Sequence, residues 1–296
     1  MKKYFGGIEA GGTHFNCVIA NGPDDILAEI QFATTDPNST LFAVSQFFLE
    51  QQISHNIQLE AIGLGSFGPL DLNPDSNAFG SITCTPKPAW QNTPILKILE
   101  KDLSLPIVIE TDVNCAAIGE MKWGAGKDLK DILYITVGTG IGGGILIAGK
   151  PVHGFTHPEL GHILIPHDLT KDPFPGCCPF HQDCLEGLAS GPAMEMRWKA
   201  KAENLPREHS AWDLETEYIS LALHNFICTL SPERIILGGG VMQNRFLFPL
   251  IHQKTLSRLN GYIESLGRSK RVEEYIVPPG LGKKAGCLGA IALAQH

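Results

Sequence analysis

The stretch DILYITVGTGIGGGILIAGK at residues 131–150 places a glycine-rich turn between two apolar segments. YFGGIEAGGTHFNCVIA at residues 4–20 follows the same design. Apolar segments on both sides of a glycine turn predict a β-hairpin. Each hairpin opens a region in which strand and helix patterns alternate, so the sequence predicts two similarly built α/β lobes with a cleft between them.

The overall composition is that of a globular protein. Of the 296 residues, 43% are hydrophobic and 18% are charged. The net charge of −8 argues against nucleic acid as a partner, because binding to a polyanion needs clustered Lys and Arg. No apolar run has the length of a membrane span, so we expect no membrane partner. The eight cysteines are mostly scattered, unlike a secreted disulfide framework, which favours the cytoplasm.

Three glycine-rich turns are candidates for binding phosphates: GGTHF at 11–15, GTGIGGG at 138–144 and GGG at 238–240. Glycine lets consecutive backbone N–H groups converge on phosphate oxygens, and the hydroxyls of Thr13 and Thr139 add donors. A tight hairpin alone would explain any one of these turns. A nucleotide bound between the lobes explains all three, although no Walker A loop is present.

The segment ETDVNCAA at 110–117 places Asp112 and Asn114 where a buried strand gives way to a helix. Ligands of α/β proteins gather at the carboxyl ends of strands. There, Asp112 can accept a proton from a substrate hydroxyl while Asn114 fixes the substrate. The alternative is that Asp112 is only the N-cap of the helix.

Two further acids follow the second hairpin: Glu159 in HPELGH and Glu186 in DCLEGLASGPA. Carboxylates and amides recognise neutral polyols through hydrogen bonds, so these acids together with Asn114 suit a sugar. Taken singly, each acid is more typical of a surface residue.

The segment PGCCPFHQDC at 175–184 is a candidate zinc site. Cys178, His181 and Cys184 recur at intervals of three, and His162 can supply a fourth ligand. Two Cys and two His form the closed tetrahedral set of a structural zinc site. A disulfide such as Cys177–Cys184 is the alternative, which a cytosolic location disfavours.

The motifs taken together resemble the ROK family of sugar kinases, within the actin-like ATPase superfamily. The resemblance is carried in order by GIEAGGTHF, ETDVNCAAIGE, VGTGIGGGILI with GFTHPELGH, CPFHQDCLEGLASGPA and IILGGGVM. ITCTPKPAW at 82–90 is more similar to the bacterial fructokinase branch than to the glucokinases. The resemblance implies the two-lobed actin-like (ribonuclease H-like) fold and ATP-dependent phosphorylation of fructose, with Mg²⁺ on the nucleotide. It also implies a homodimer.

The resemblance also assigns roles to individual residues. Asp112 matches the general base, and a set of residues matches the sugar contacts: Gly68, Pro69, Asn114, Glu159 and Glu186. A second set matches the nucleotide contacts: Gly11, Gly12, Thr13, His14, Gly138, Thr139, Gly140, Gly239 and Gly240. His162 of the ExGH motif matches a zinc ligand.

Two positions depart from the family pattern. In the first phosphate motif, the family commonly has Asp at the position of Glu9 and Lys at the position of His14. A neutral His would weaken the attraction for phosphate.

Glucose, mannose or an N-acetylhexosamine remain alternative acceptors. A sugar-responsive repressor is a further alternative, disfavoured because the first phosphate motif leaves no room ahead of it for a DNA-binding domain. The predicted boundaries are residues 1–115 for the first lobe, 116–285 for the second, and 286–296 for a C-terminal helix packed back on the first.

Overall fold

The computed structural model describes residues 2–268 and 270–296 and contains two five-stranded sheets. The strand orders are β3-β2-β1-β4-β5 and β10-β9-β6-β7-β8. The chain forms two compact units: the first comprises residues 1–130, 144–158 and 280–296, and the second comprises residues 131–143 and 159–279. Both lobes are therefore α/β, as the hairpin repeat predicts. Within the described residues, no helix combines the length and apolar character needed to cross a membrane.

The first sheet is built on the N-terminal hairpin. Its strands are β1 (Tyr4–Ala10), β2 (His14–Gly22), β3 (Asp25–Ala33), β4 (Leu59–Ser66) and β5 (Ile107–Thr111). β1, β2 and β3 pair antiparallel in sequence order, whereas β4 pairs parallel with both β1 and β5. The β-hairpin predicted at residues 4–20 is confirmed as β1 and β2.

The helices of the first unit are α1 (Pro37–His55), α2 (Ile95–Leu103), α3 (Asp112–Trp123) and α10 (Ala285–Ala294). Local sequence sets the ends of α1: the Asp36 side chain accepts from Ser39 N at 3.0 Å, and Asn56 ends the helix in the left-handed conformation. α1 and α2 bury their apolar residues against the sheet around Phe48, Leu41 and Leu99.

Helices α3 and α10 pack at very close range. A Cβ on Gly289 would lie 1.7 Å from the Cys115 carbonyl oxygen, so only glycine permits this approach. Both helices consequently belong to the first unit, and the unit boundary falls after residue 130. The boundary expected after residue 115 separates α3 from the first unit, because a strand-to-helix junction gives no sign of which unit the helix packs against. The sequence does assign the C-terminal helix, expected after residue 285, to the first lobe.

The second unit contains most of the strands of the other sheet. The strands of this sheet are β6 (Ile132–Val137), β7 (Ile141–Ile147), β8 (Lys150–Pro151), β9 (Arg234–Gly238) and β10 (Ile276–Val277). The unit boundary runs through β7, so β8 belongs to the first unit. β9 pairs parallel with both β6 and β10. The helices are α4 (Leu185–Ala189), α5 (Gly191–Trp198), α6 (Ala211–Leu230), α7 (Leu247–Leu259) and the short α8 (Ser265–Arg268) and α9 (Val272–Tyr275).

Candidate functional site

The candidate catalytic residues of the first unit follow three parallel strands at one edge of the sheet. Ala10, Ser66 and Thr111 are paired in register across β1, β4 and β5. The residues that follow them are Gly11–Thr13, Phe67–Pro69 and Asp112. The strand pairing therefore brings the first glycine turn, the Gly68–Pro69 loop and Asp112 to the same edge, with neighbouring strands about 4.8 Å apart.

Asp112 is the first residue of α3, and it is not the N-cap. The Thr111 hydroxyl takes that role, because its Oγ1 accepts from Asn114 N at 3.1 Å. Asp112 Oδ1 accepts from Val113 N at 2.9 Å. Desolvation by the surrounding protein raises the pKa of Asp112 to about 6. A carboxylate with a pKa in this range is ionised at neutral pH and binds a proton more readily than an exposed aspartate.

Asn114 is held by two hydrogen bonds that fix the orientation of its amide. Its Nδ2 donates to Glu110 Oε1 at 3.0 Å, and its Oδ1 accepts from Ile145 N at 3.2 Å. Glu110 itself is buried, and its second oxygen pairs with His153 Nε2 at 2.8 Å. The hydrogen bond that His153 donates to Glu110 raises the pKa of His153. Neither Glu110 nor His153 is predicted as a site residue from the sequence, since nothing in their spacing links residue 110 to residue 153.

A second histidine, also missed, lies against the Gly68–Pro69 loop. His157 Nε2 accepts from Leu70 N at 3.0 Å, and a Cβ on Gly68 would lie 3.4 Å from His157 Cε1. Burial lowers the pKa of His157. A neutral His157 therefore fixes the backbone of the loop that the sequence assigns to sugar binding.

Glu9, near the end of β1, is a second carboxylate with an altered pKa. Desolvation and, to a smaller extent, the charge of Asp112 raise the pKa of Glu9 to about 7. Asn16 Nδ2 donates to Glu9 Oε2 at 2.9 Å, which favours the charged form. The first unit therefore contains two carboxylates with raised pKa values, and carboxylate oxygens are ligands that hard cations prefer.

The first glycine turn is closed by backbone hydrogen bonds. Gly11 N donates to His14 O at 2.9 Å, and the Thr34 hydroxyl donates to Gly11 O at 2.8 Å. His14 and Thr13 are exposed. The end of the Lys87 side chain lies against Gly12, where a Cβ would be 3.0 Å from Lys87 Cε. No local sequence pattern places Lys87 beside this turn.

The two glycine turns of the second unit lie side by side. They follow β6 and β9, in which Thr136 is paired with Gly238. A Cβ on Gly138 would be 3.7 Å from Gly240 N. Gly239 has φ of +91°, and a Cβ there would lie 2.3 Å from Val137 O, so the second turn requires glycine at this position. Gly138–Gly140 and Gly239–Gly240 are thus brought together, as expected for loops at the carboxyl ends of adjacent parallel strands.

The predicted sugar-binding acids Glu159 and Glu186 also belong to the second unit. Glu186 Oε2 accepts from Ile141 N at 2.9 Å, so this carboxylate supports the turn that contains Thr139 and Gly140. Glu159 is exposed and precedes the short 3₁₀ helix Leu160–His162.

The Cys/His cluster forms a compact set of four ligands. The ligand atoms of His162, Cys178, His181 and Cys184 all lie within 4.8 Å of one another. The Sγ atoms of Cys178 and Cys184 are 3.7 and 3.6 Å from His162 Nδ1. Zinc bonds of about 2.3 Å to sulfur and about 2.1 Å to nitrogen place such atoms about 3.6 Å apart in a tetrahedron. Cys177 is a free thiol, as is Cys184, so the alternative disulfide is not formed.

The sheet orders, the two glycine-turn hairpins and the two compact units define the two-lobed actin-like ATPase fold. The sequence profile described as the ROK family matches residues 5–296, and the chain belongs to this family. A fructokinase of Zymomonas mobilis subsp. mobilis is 43% identical over 299 residues, covering 99% of this chain and 97% of that protein.

Solved structures show the same fold over the whole chain. The crystal structure of a ROK hexokinase from Thermus thermophilus has a TM-score of 0.80 at 26% identity, covering 99% of this chain and 98% of that one. A ROK family glucokinase from Streptomyces griseus, solved with glucose and AMPPNP, has a TM-score of 0.76 at 25% identity, covering 99% of both chains.

Proposed function

We propose that this protein is an ATP-dependent hexose kinase that phosphorylates the 6-hydroxyl of D-fructose. The observation that carries the proposal is Asp112. It lies at the sheet edge beside the first glycine turn, it is not used as a helix cap, and its pKa is raised to about 6. The assignment to fructose is supported by 43% identity to a fructokinase, against 25% to a glucokinase.

In the proposed reaction, Asp112 accepts the proton of the sugar hydroxyl as that oxygen bonds to the terminal phosphorus of ATP. The bond between this phosphorus and the bridging oxygen breaks, and ADP leaves with the bridging oxygen. Asn114 orients the sugar, since its amide is fixed by Glu110 and Ile145. Gly68, Pro69, Glu159 and Glu186 are the further proposed sugar contacts.

The nucleotide phosphates are assigned to the glycine turns. Gly11–Thr13 with His14 and Gly138–Gly140 would offer backbone N–H groups and hydroxyls, and Gly239–Gly240 would contact the adenosine end. Mg²⁺ bound to ATP would offset phosphate charge. The carboxylates of Glu9 and Asp112 are of the type that binds this cation. The use of ATP also favours the cytoplasm as the place of the reaction.

The four-ligand cluster is assigned to a structural zinc ion. Its ligand distances fit a tetrahedral site, and four protein ligands leave no open position for catalysis. The ion would tie the Glu159 segment, through His162, to the Glu186 segment, through Cys184. Its proposed role is therefore to hold two sugar-contacting carboxylates in place.

A coupled ADP-release assay with fructose, glucose, mannose and N-acetylhexosamines tests the proposal. We expect fructose to give the highest kcat/KM. A higher value for another hexose would overturn the fructose assignment and keep the kinase. Absence of ADP release with every sugar would overturn the proposed kinase function. Specific retention of the protein on DNA would then favour the alternative of a sugar-responsive repressor. Light scattering tests the homodimer that the family resemblance implies.

A further inference from the structure

The loop at residues 85–90 brings a lysine to the first glycine turn. A Cβ placed on Gly12 would lie 3.0 Å from Lys87 Cε, and apart from Gly12 and its chain neighbours no other heavy atom of residues 2–268 and 270–296 comes within 4 Å of that position. The aliphatic end of Lys87 therefore covers the open side of Gly12, and its ammonium group lies beside the turn.

The position of Lys87 is fixed by Trp90, which is almost fully buried. The indole Nε1 donates to Thr35 O at 2.7 Å, and the Trp90 ring stacks on Phe15 with centroids 5.4 Å apart. Trp90 N also donates to Lys87 O at 2.9 Å, closing a 3₁₀ turn. The loop is thus anchored to the strand that leaves the glycine turn.

Thr34, next to the residue that Trp90 bonds, also forms hydrogen bonds with the glycine turn. Thr34 N donates to Thr13 O at 2.9 Å, and the Thr34 hydroxyl donates to Gly11 O at 2.8 Å. Thr34 precedes Thr35, which receives the Trp90 hydrogen bond. The backbone at Lys87, through Trp90, and the glycine turn are therefore both hydrogen-bonded to Thr34–Thr35. These bonds set the distance between the two backbone segments.

The charge of Lys87 is not neutralised by an acidic partner within residues 2–268 and 270–296. The turn itself carries His14 where the family pattern commonly has Lys, so its own sequence offers no permanent cation. A lysine ammonium is a compact charge with three donors, which suits phosphate oxygens. The glycine turn therefore has the features of an anion-binding site whose positively charged side chain, Lys87, comes from another segment of the chain.

We propose that Lys87 binds the nucleotide phosphates at the first glycine turn and supplies the positive charge that His14 does not. The choice of a nucleoside triphosphate as the anion rests on the proposed kinase function. Asp112 follows a strand two positions away in the same sheet edge, about 10 Å from the turn at 4.8 Å per strand. Within this proposal we assign the terminal phosphate to Lys87, because that phosphate is the one that must approach Asp112 for transfer.

Calorimetric titration with Mg²⁺ and either AMPPNP or ADP tests this inference without any sugar. Lys87→Met is expected to weaken AMPPNP binding by about 10–100-fold, the range for one hydrogen bond to a charged group, and to change ADP binding less. Lys97→Met is the control, because Lys97 is an exposed lysine of the same unit that donates to Asn77 O. Circular dichroism and thermal unfolding verify folding, and Lys87→Gln provides a second uncharged variant.

A rescue experiment separates a charge role from a packing role. Adding His14→Lys to the Lys87→Met variant is expected to restore AMPPNP affinity to within about 3-fold of wild type, because the two side chains serve the same phosphate. Unchanged AMPPNP binding in folded Lys87→Met and Lys87→Gln proteins overturns the inference, as does an equal loss for ADP and AMPPNP. A failure of the double variant to recover any affinity also overturns it.

The titration also separates this inference from the proposed function. A wild-type protein that binds AMPPNP through Lys87 yet phosphorylates no hexose would contradict the function and leave the inference standing. A protein that phosphorylates fructose and binds AMPPNP equally well without Lys87 would contradict the inference alone.

Discussion

Replacing Asp112 with asparagine is expected to stabilise the protein while abolishing its kinase activity. Folding raises the pKa of this carboxyl from 3.8 to about 6, which means that the charged form is disfavoured by about 3 kcal/mol at neutral pH. The side chain keeps some solvent exposure, so we expect a net gain of about 1–2 kcal/mol. Asparagine is neutral and retains an oxygen that can accept from Val113 N.

The stability gain must depend on pH in one direction. Because the folded-state pKa is raised, the folded wild type binds a proton between pH 3.8 and about 6 that the unfolded chain has lost. The contribution of Asp112 to wild-type stability therefore falls as pH rises through this window and is constant above it. The advantage of Asp112→Asn is close to zero near pH 4 and reaches its full value above about pH 6. In the same range, kcat/KM of the wild type is expected to rise as the base ionises.

Urea unfolding and thermal melts at pH 4.5 and 7.5 measure this difference. A gain of about 1–2 kcal/mol corresponds to a Tm increase of roughly 2–6 °C at pH 7.5 for a domain of this size. Asp75→Asn is the matched control, because Asp75 is exposed in the same unit and should change stability by less than about 0.5 kcal/mol. A stability difference that is independent of pH, or an Asp112→Asn protein that keeps near-normal turnover, would refute the reasoning.

Three further predictions concern the second unit. Removal of the proposed zinc ion, followed by elemental analysis, is expected to raise the KM for fructose before the protein unfolds. Unchanged sugar kinetics in folded metal-free protein would contradict this. Gly239→Ala is expected to lower the Tm and raise the KM for ATP, because its Cβ would meet Val137 O at 2.3 Å. Gly240→Ala should keep the wild-type Tm, because in the described part of the chain its Cβ would meet no heavy atom within 4 Å beyond its own chain neighbours. Asp172→Asn is expected to cost about 3–5 kcal/mol in urea unfolding, because Asp172 is buried and bonds both Arg197 and Tyr218. The exposed Asp168→Asn is its control, and equal effects of the two would argue against the buried ion pair.

Local sequence was sufficient to predict the turns and strand ends on which the candidate site residues lie. The glycine turns, the strand ends and the Cys178–Cys184 spacing were all recognisable, because each depends on the conformational preferences or ligand geometry of adjacent residues. The fold class and the family membership followed from the order of these motifs, and both are confirmed. The start of α3 was predicted correctly, but its N-cap was not, because Thr111 and Asp112 are both suitable capping residues and only the backbone chooses between them.

The sequence by itself determined the α/β lobes, the glycine turns that we assign to phosphate binding, and the candidate base. Only the tertiary structure decided which distant side chains join them: Glu110 with His153, His157 with the Gly68–Pro69 loop, and Lys87 with Gly12. The physical reason is that these contacts depend on strand register and on the burial of anchors such as Trp90, which couple residues far apart in the chain. The alignment of Ala10, Ser66 and Thr111 turns three separate loops into one sheet edge, and no local pattern encodes that alignment.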